Sequence, residues 1–566
     1  MAGMQSAQAD THTWTNKVTG AQDWSTAGNW SGGVYVSDPA NELMFFADVN
    51  ALPSSGIKTI TSVPAALSMN TLTLNGMSPN NINGYTIIFG DGTSVWTIGD
   101  GTTSTINLNA KQWSFDYRSV FYHPPNIRFN QAITTITGNG SGGGFYFEGN
   151  ITETAPGYGI TKSGNSRAMF FGTNTYSGPT TVSGGILRLS SASALPGGTG
   201  VSGGTSALTL NGGVLELATG DFQRGLGTAG NQFQIIGGTS GFSAKGAPRY
   251  VTVNNDAAQE LVWGSTTFQP TALVLNSASA TREADKCDNN LTLCNKLDLN
   301  GATRTVQVNA YTAFIPSDIQ TSSGTAGLTK TGNGTLVLSG ANTYNGPTTI
   351  SGGALSMGAT NNLGDGGNLI FNSGTLQITG TSITNIASIG HAVTFNSGTK
   401  GFDIHDAANT FTVDQVLNQG SGYFYKYGAG TLVLNQANTF TGESWMTGGG
   451  TLVLDYSTED NSKLSATQEL RCNGGALTLS GGSYTQVVSA TTLGHYTGSF
   501  ITRSSGTATI NLNAINSSWR DGVDSALSLS EAGIATTDRL NIGSGILGAW
   551  ATVGSHWTVN SINGAS

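Results

Sequence analysis

Residues Gly327–Met357 read GLTKTGNGTLVLSGANTYNGPTTISGGALSM, and the alternation inside that stretch decides the fold. Thr335-Leu336-Val337-Leu338 places Leu336 and Leu338 on one face of a short strand, because successive strand side chains point to opposite sides. Ser339-Gly340-Ala341-Asn342 is turn chemistry, Thr348-Thr349-Ile350 is a β-branched strand, and Ser351-Gly352-Gly353 turns the chain into Ala354-Leu355-Ser356-Met357. Read this way, the stretch is one turn of a coil built from three short strands. A single coil cannot bury its apolar face alone, so coils must stack, and stacked parallel coils form a β-solenoid.

Two other segments repeat the pattern: Gly159–Leu189, GITKSGNSRAMFFGTNTYSGPTTVSGGILRL, and, from Tyr423, YFYKYGAGTLVLNQANTFTGESWMTGGGTLVL. Lys162, Lys330 and Lys426 are spaced as are Asn174, Asn342 and Asn438, so the copies align without a gap up to that point. In the middle copy the residues expected to carry the structure are Leu336, Leu338, Asn342, Tyr344, Gly346, Gly352, Gly353 and Leu355. The lysines recur because the repeat does, which argues for a structural part. Arg167-Ala168-Met169-Phe170 departs from the usual strand in the first copy, and Glu443-Ser444-Trp445-Met446 replaces Pro-Thr-Thr-Ile in the last. Those two coils are expected to bulge or to carry something.

The pattern G-x-G-T-L-x-L-x-G-x-N-T-Y-x-G-x-T-T-I-x-x-G-x-L-x-L, strongest in the middle copy, resembles the passenger-associated (autotransporter-associated β-strand) repeat of bacterial autotransporters. The opening Thr13-Trp14 with Asp23–Trp30 and the closing Ile546–Val553 are similar to stretches of large secreted bacterial proteins that carry such repeats. The resemblance covers the ends and three interior blocks. It implies a secreted or cell-surface β-helix and no reaction. The fold expected is all-β, a right-handed parallel β-helix with capped ends and irregular loop insertions. About 20–25 coils at ~4.8 Å would make a rod roughly 100 Å long.

Composition agrees with a solenoid. The chain has 566 residues, 37% of them apolar, with 81 glycines, and only 10% are charged against about 25% in ordinary domains. Like charges at equivalent positions would repel along a stack, whereas Asn and Thr form hydrogen-bonded ladders. A net charge of −9 with no basic patch makes nucleic acid an unsuitable partner. No apolar run approaches the ~20 residues that a bilayer span needs. Ala7-Gln8-Ala9 before Asp10 has the small-x-small form of a signal-peptidase site, and an Ala-rich tail without meaning fits equally. Asn560–Ser566 is not an export barrel, so a released or truncated passenger and a stand-alone secreted subunit are both expected forms.

The expected organisation is a cap region over residues 1–50, with Trp14, Trp24 and Trp30, and a solenoid over 51–457. The repeats fall at 159–189, 327–357 and 423–454, with an irregular section at about 220–316. Residues 458–566 are read as irregular coils and a cap, residues 518–533 as an excursion from the stack, and Trp550 and Trp557 as closing the end. Gly90-Asp91-Gly92 and Gly99-Asp100-Gly101 read as corners in preference to a calcium repeat. The aromatic segment Trp113–Phe129 reads as core more than as a carbohydrate platform. Cys287 and Cys294 bracket a loop that a disulfide could close in an oxidising compartment, and two free thiols fit the spacing equally. Cys472 reads as a small buried residue.

Chemistry is sparse. Asp403 and His405, alternating with Phe402 and Ile404, share an outer face and with Asp406 form the best local cluster for a metal or a proton, although a solvated polar face explains them as well. No nucleophile elbow, H-E-x-x-H or C-x-x-C occurs. The function expected is a non-enzymatic structural or adhesive surface protein without cofactor or metal. A glycan or cell surface and further copies of the chain are its expected partners, with residues 1–12 adding a strand to a neighbour. The alternative is a polysaccharide-binding or polysaccharide-degrading β-helix.

Overall fold

A computed structural model describes the chain from Asp10 to Trp557, apart from residues 16–19, 36, 39–40, 46–54, 76–82, 90–93, 101–103, 110–119, 123–125, 139–143, 202–203, 278–287, 397, 419–421, 495–496, 518–525, 539–550 and 554–555. Two compact units comprise residues 1–300 with 305–317, and residues 301–304 with 318–566. Each is a stack of short parallel strands, making about 16 turns of parallel β-solenoid in all. The count falls below the expected 20–25 because turn length varies. A turn takes 20 residues where Asn342 reaches Asn362, but 34 where Asn107 reaches Thr73.

In the first unit one sheet begins with Thr11–Trp14, which pairs antiparallel with Trp30–Ser31 and parallel with Glu42–Phe45. It continues through Thr71–Asn75, Thr105–Asn109, Ile133–Thr137, Gly159–Lys162, Thr180–Val182 and Leu208–Asn211. Thr11 and His12 sit in the chain's own ladder, opposite Glu42 and Leu43, and residues 1–9 of the segment expected to add to a neighbour lie outside the described residues. Trp14, Trp24 and Trp30 are buried against one another, with ring centroids 5.1 Å apart for Trp14 and Trp30 and 4.7 Å for Trp24 and Trp30. Edge-to-face packing of this kind suits the ring quadrupole.

In the second unit the quoted stretch is more than one turn, which corrects the three-strand coil. Thr348–Met357 is a single strand whose first half lies on Leu328–Thr331, with Lys330 opposite Ile350, and whose second half lies on Thr335–Leu338, with Leu336 opposite Leu355. The repeat is thus two successive rungs, the first of two strands and the second of one strand in two halves, joined by the Asn342 loop. The register shifts at Ser351-Gly352-Gly353, the corner between the halves. The two departing copies do not bulge: Arg167–Phe170 and Ser444–Thr447 hold an unbroken register with both neighbours.

Strand alternation fills the core. Leu336, Leu338, Ile350, Leu355 and Met357 are buried, and the next rungs add Phe371, Phe395 and Phe402, with Phe371 and Phe395 stacked at 4.9 Å. The stack continues past Ser457 through Leu470–Asn473, Gly475–Ser480 and Gly498–Arg503. Ala526–Leu529 pairs parallel with Gly498–Ile501, so that part of the expected excursion is a rung. Of the aromatic segment near residue 120, Trp113 lies outside the described residues, and Ile127 and Phe129 are core. Asp91 and Trp550 also lie outside them.

Candidate functional site

The repeat's polar residues are spent on holding rungs together. Asn342 is buried, its Oδ1 accepts from the backbone N–H of Ile319 at 2.7 Å, and its Nδ2 donates to the carbonyl of Asn362. Asn174 makes the same pair with Ile151 and Ala194, and Asn438 with Leu417 and Lys463. Each asparagine thus satisfies a backbone group on the turn before and another on the turn after, groups that burial would otherwise make costly. The hydroxyls of Tyr344 and Tyr176 bond the Thr348 and Thr180 hydroxyls at 2.6 and 2.7 Å. In the third copy Phe440 and Ser444 stand at these places, so ring and hydroxyl partner change together.

The recurring lysines are core residues. Lys330 is fully buried, and its Nζ donates to the carbonyls of Gly332 at 2.6 Å, Gly334 at 2.5 Å and Gly352 at 2.9 Å. Lys162 is held by Ser163, Gly164 and Gly184, and Lys426 reaches Gly428. Burial pushes the Lys162 and Lys330 ammonium groups down to about 7 and that of Lys426 to about 8. Gly353, at φ +57°, lies over this cage, and a Cβ there would sit 2.6 Å from the lysine Nζ. A Cβ on Gly346 would meet the Ala326 backbone at 2.6 Å. Gly353 needs glycine for approach as well as for conformation, and Gly346 for approach alone.

Asp403, His405 and Asp406 lie around the end of the strand Lys400–Ile404. Asp403 is half-buried, its Oδ2 accepts from Gln377 Nε2 at 2.7 Å, and its Oδ1 has no hydrogen-bond partner. Asp406 accepts from the Gly380 N–H, and His405 is exposed beyond the strand end. Among the described residues no three His, Cys, Asp or Glu side chains group as metal ligands. Cys287 lies outside the described residues, while Cys294 is half-buried beside the strand Leu291–Leu293. Cys472 is buried, which pushes its thiol up to about 12.

Each departing copy carries its unusual side chains on the strand face turned away from the core, a face that is buried in the first copy and part-exposed in the third. In the first, Arg167 and Arg188 converge on the buried Glu216. In the third, Phe424–Tyr427, Ser444–Thr447 and Leu470–Asn473 are consecutive rungs. Alternation sends Phe424, Lys426, Ser444, Met446, Leu470 and Cys472 inward and leaves Tyr425, Tyr427, Trp445 and Arg471 outside. Tyr425 stands beside Trp445 at 5.2 Å, and Tyr427 lies parallel to Tyr425, at 6° and 5.1 Å. Tyr423, 44% exposed, flanks Trp445 at 5.8 Å. The Arg471 guanidinium lies over the indole at 4.7 Å, and Glu443 Oε2 accepts from both Trp445 Nε1, at 3.0 Å, and Arg471 Nε, at 2.9 Å. Glu469 holds Arg471 from its other side at 2.7 Å.

On the preceding rung the residue opposite Tyr425 is Gly401, where a Cβ would lie 3.2 Å from Tyr427 Cε2. Burial and the neighbouring Tyr425 and Asp403 push the Tyr427 hydroxyl up to about 12, and burial with Tyr423 and Glu443 pushes that of Tyr425 up, so both stay protonated donors at neutral pH. Sequence reading looked for an aromatic platform in Trp113–Phe129 and missed this one. The signal was the alternation Tyr423-Phe424-Tyr425-Lys426-Tyr427, with Trp445 one 20-residue turn after Tyr425.

The passenger-associated-transport-repeat family matches residues 160–189, 328–357 and 424–444. Over 442 residues, 74% of this chain, the sequence is 27% identical to the adhesin BmaC autotransporter of Brucella suis biovar 1 (strain 1330). The chain spans about 10% of the length of that relative. No solved structure matches. The chain thus carries autotransporter passenger repeats, and these matches support a secreted, cell-surface location.

Proposed function

We propose that this chain is an adhesive, non-enzymatic part of a cell-surface passenger, in which the solenoid is the scaffold and its outer faces make the contacts. The observation that carries the reading is the division of labour within the repeat. Asn342, Lys330, Tyr344 and their counterparts are turned inward and consumed by bonds within the stack, so these residues of the repeat offer a partner nothing. The aromatic residues of the third copy are turned outward. Similarity to an autotransporter adhesin supports the same reading. Beads coated with the purified chain should bind cultured mammalian cells in a saturable way, with heat-unfolded protein as control, and equal retention of both preparations would refute adhesion. Catalysis by Asp403, His405 and Asp406 has no observation in its favour beyond their proximity in sequence. Self-association into a filament is a finer form of the proposal, favoured by the low charge, and light scattering at rising concentration tests it.

A further inference from the structure

We infer that Tyr423, Tyr425, Tyr427 and Trp445 form a stacking platform for a neutral glycan chain, with Glu443, Glu469 and Arg471 as its polar rim. The inference rests on the adhesive reading and names the ligand class for one surface.

The occupant follows from what the surface lacks. Phe424–Tyr427 and Ser444–Thr447 are hydrogen-bonded to rungs on both sides, so there is no open strand edge and a peptide cannot bind by strand addition. Recognition must run through side chains. An anionic partner is disfavoured because Glu443 and Glu469 edge the rings and the guanidinium between them is already engaged by both carboxylates. That guanidinium lies over the indole within cation-π range, so the positive charge a cationic ligand would bring there is already supplied. A lipid surface would have to desolvate two carboxylates and the phenol hydroxyls.

A neutral pyranose fits what remains. Its axial C–H groups stack on aromatic faces and its equatorial hydroxyls find phenol donors and carboxylate acceptors at the edge. The rings are held before any ligand arrives. Trp445 is fixed from one edge by Glu443 and from its face by Arg471, while Tyr425 and Tyr427 are stacked on each other, parallel to within 6°. Rings already in place lose little freedom on binding. Because Tyr425 and Trp445 belong to successive rungs, the platform runs along the stack and suits a chain of sugars more than a single residue.

The test is affinity electrophoresis of the full chain through gels containing hydroxyethylcellulose, galactomannan or alginate, repeated with Trp445→Ala, Tyr425→Ala, Tyr423→Ala and Trp445→Phe. At least one neutral polysaccharide should retard the wild type. The first two variants should weaken that binding about tenfold or more, while Trp445→Phe keeps most of it. Circular dichroism and melting separate lost folding from lost binding, and Tyr423→Ala, at an exposed site, gives a second reading if Trp445→Ala melts early. Absence of retardation by either neutral polymer, equal retardation of all variants, or stronger retention by alginate each overturns the inference. Cell binding that survives all four variants would sink the platform and leave adhesion standing, as would its being traced to a protein receptor. Loss of bead adhesion by the wild type would sink both.

Discussion

A buried asparagine with both ends of its amide in use is worth more to this fold than an exposed one. Asn342→Ala leaves the Ile319 N–H and the Asn362 carbonyl unpaired inside the stack, so it should cost about 2–4 kcal/mol in urea unfolding. Asn345 bonds Ala326 and Gly324 in the same manner but is exposed, and water can replace it. Asn345→Ala should cost about 1 kcal/mol or less, and equal losses would mean that burial does not govern the ladder. The lysines set a pH dependence. Lys162 and Lys330 titrate near 7 in the folded state and Lys400 and Lys426 near 8, against ~10.4 in an unfolded chain. Between those values the unfolded chain holds protons that the folded one has released, so stability rises with pH across that window and is lowest below it. The urea midpoint should be higher at pH 9.5 than at pH 6.5, and a lower one would mean that the carbonyl cages hold the ammonium form. Cys472, buried and poorly ionised, should react with iodoacetamide only in denaturant, and modification of the native protein would place it at the surface.

At the scale of the strand, period-two alternation was legible because one face is buried. Leu336 and Leu338 point in while Thr335 and Val337 point out, as the hydrophobic pattern alone requires. Leu336→Asp should therefore abolish cooperative folding of its rung, with a cost of several kcal/mol. Val337→Asp should shift the melting temperature by only a few degrees, and equal damage would invalidate the alternation. The turn length was not legible in the same way. Gly352-Gly353 looked like the end of one coil because glycine marks corners without saying how many a turn contains, and only the pairing of Leu336 with Leu355 shows the stretch to be more than a turn. The aromatic surface was hidden for that reason: Tyr425 and Trp445 are neighbours only once a turn is known to be 20 residues. The recurrence of the lysines argued for a structural part, but their burial was not legible until the carbonyls around them were placed.

Across the whole molecule the scarcity of charge makes a further prediction. With 10% charged residues and cohesion supplied by apolar rungs and amide ladders, thermal stability should change little between low salt and 0.5 M sodium chloride, and a large shift would assign ion pairs a part that composition denies them. The variable turn length has a different consequence, for the order in which the chain can acquire its structure. Among the described residues each parallel rung finds its partner about one turn along the sequence, from 20 residues in the repeats to 42 where Arg249 lies opposite Leu291. Closing loops that short carries a small entropic barrier, and no rung waits for a distant terminus before it can pair. A polypeptide fed end-first through a narrow opening could therefore fold as it emerged, each new rung laid on the last, with no stage at which the emerged portion lacked a template.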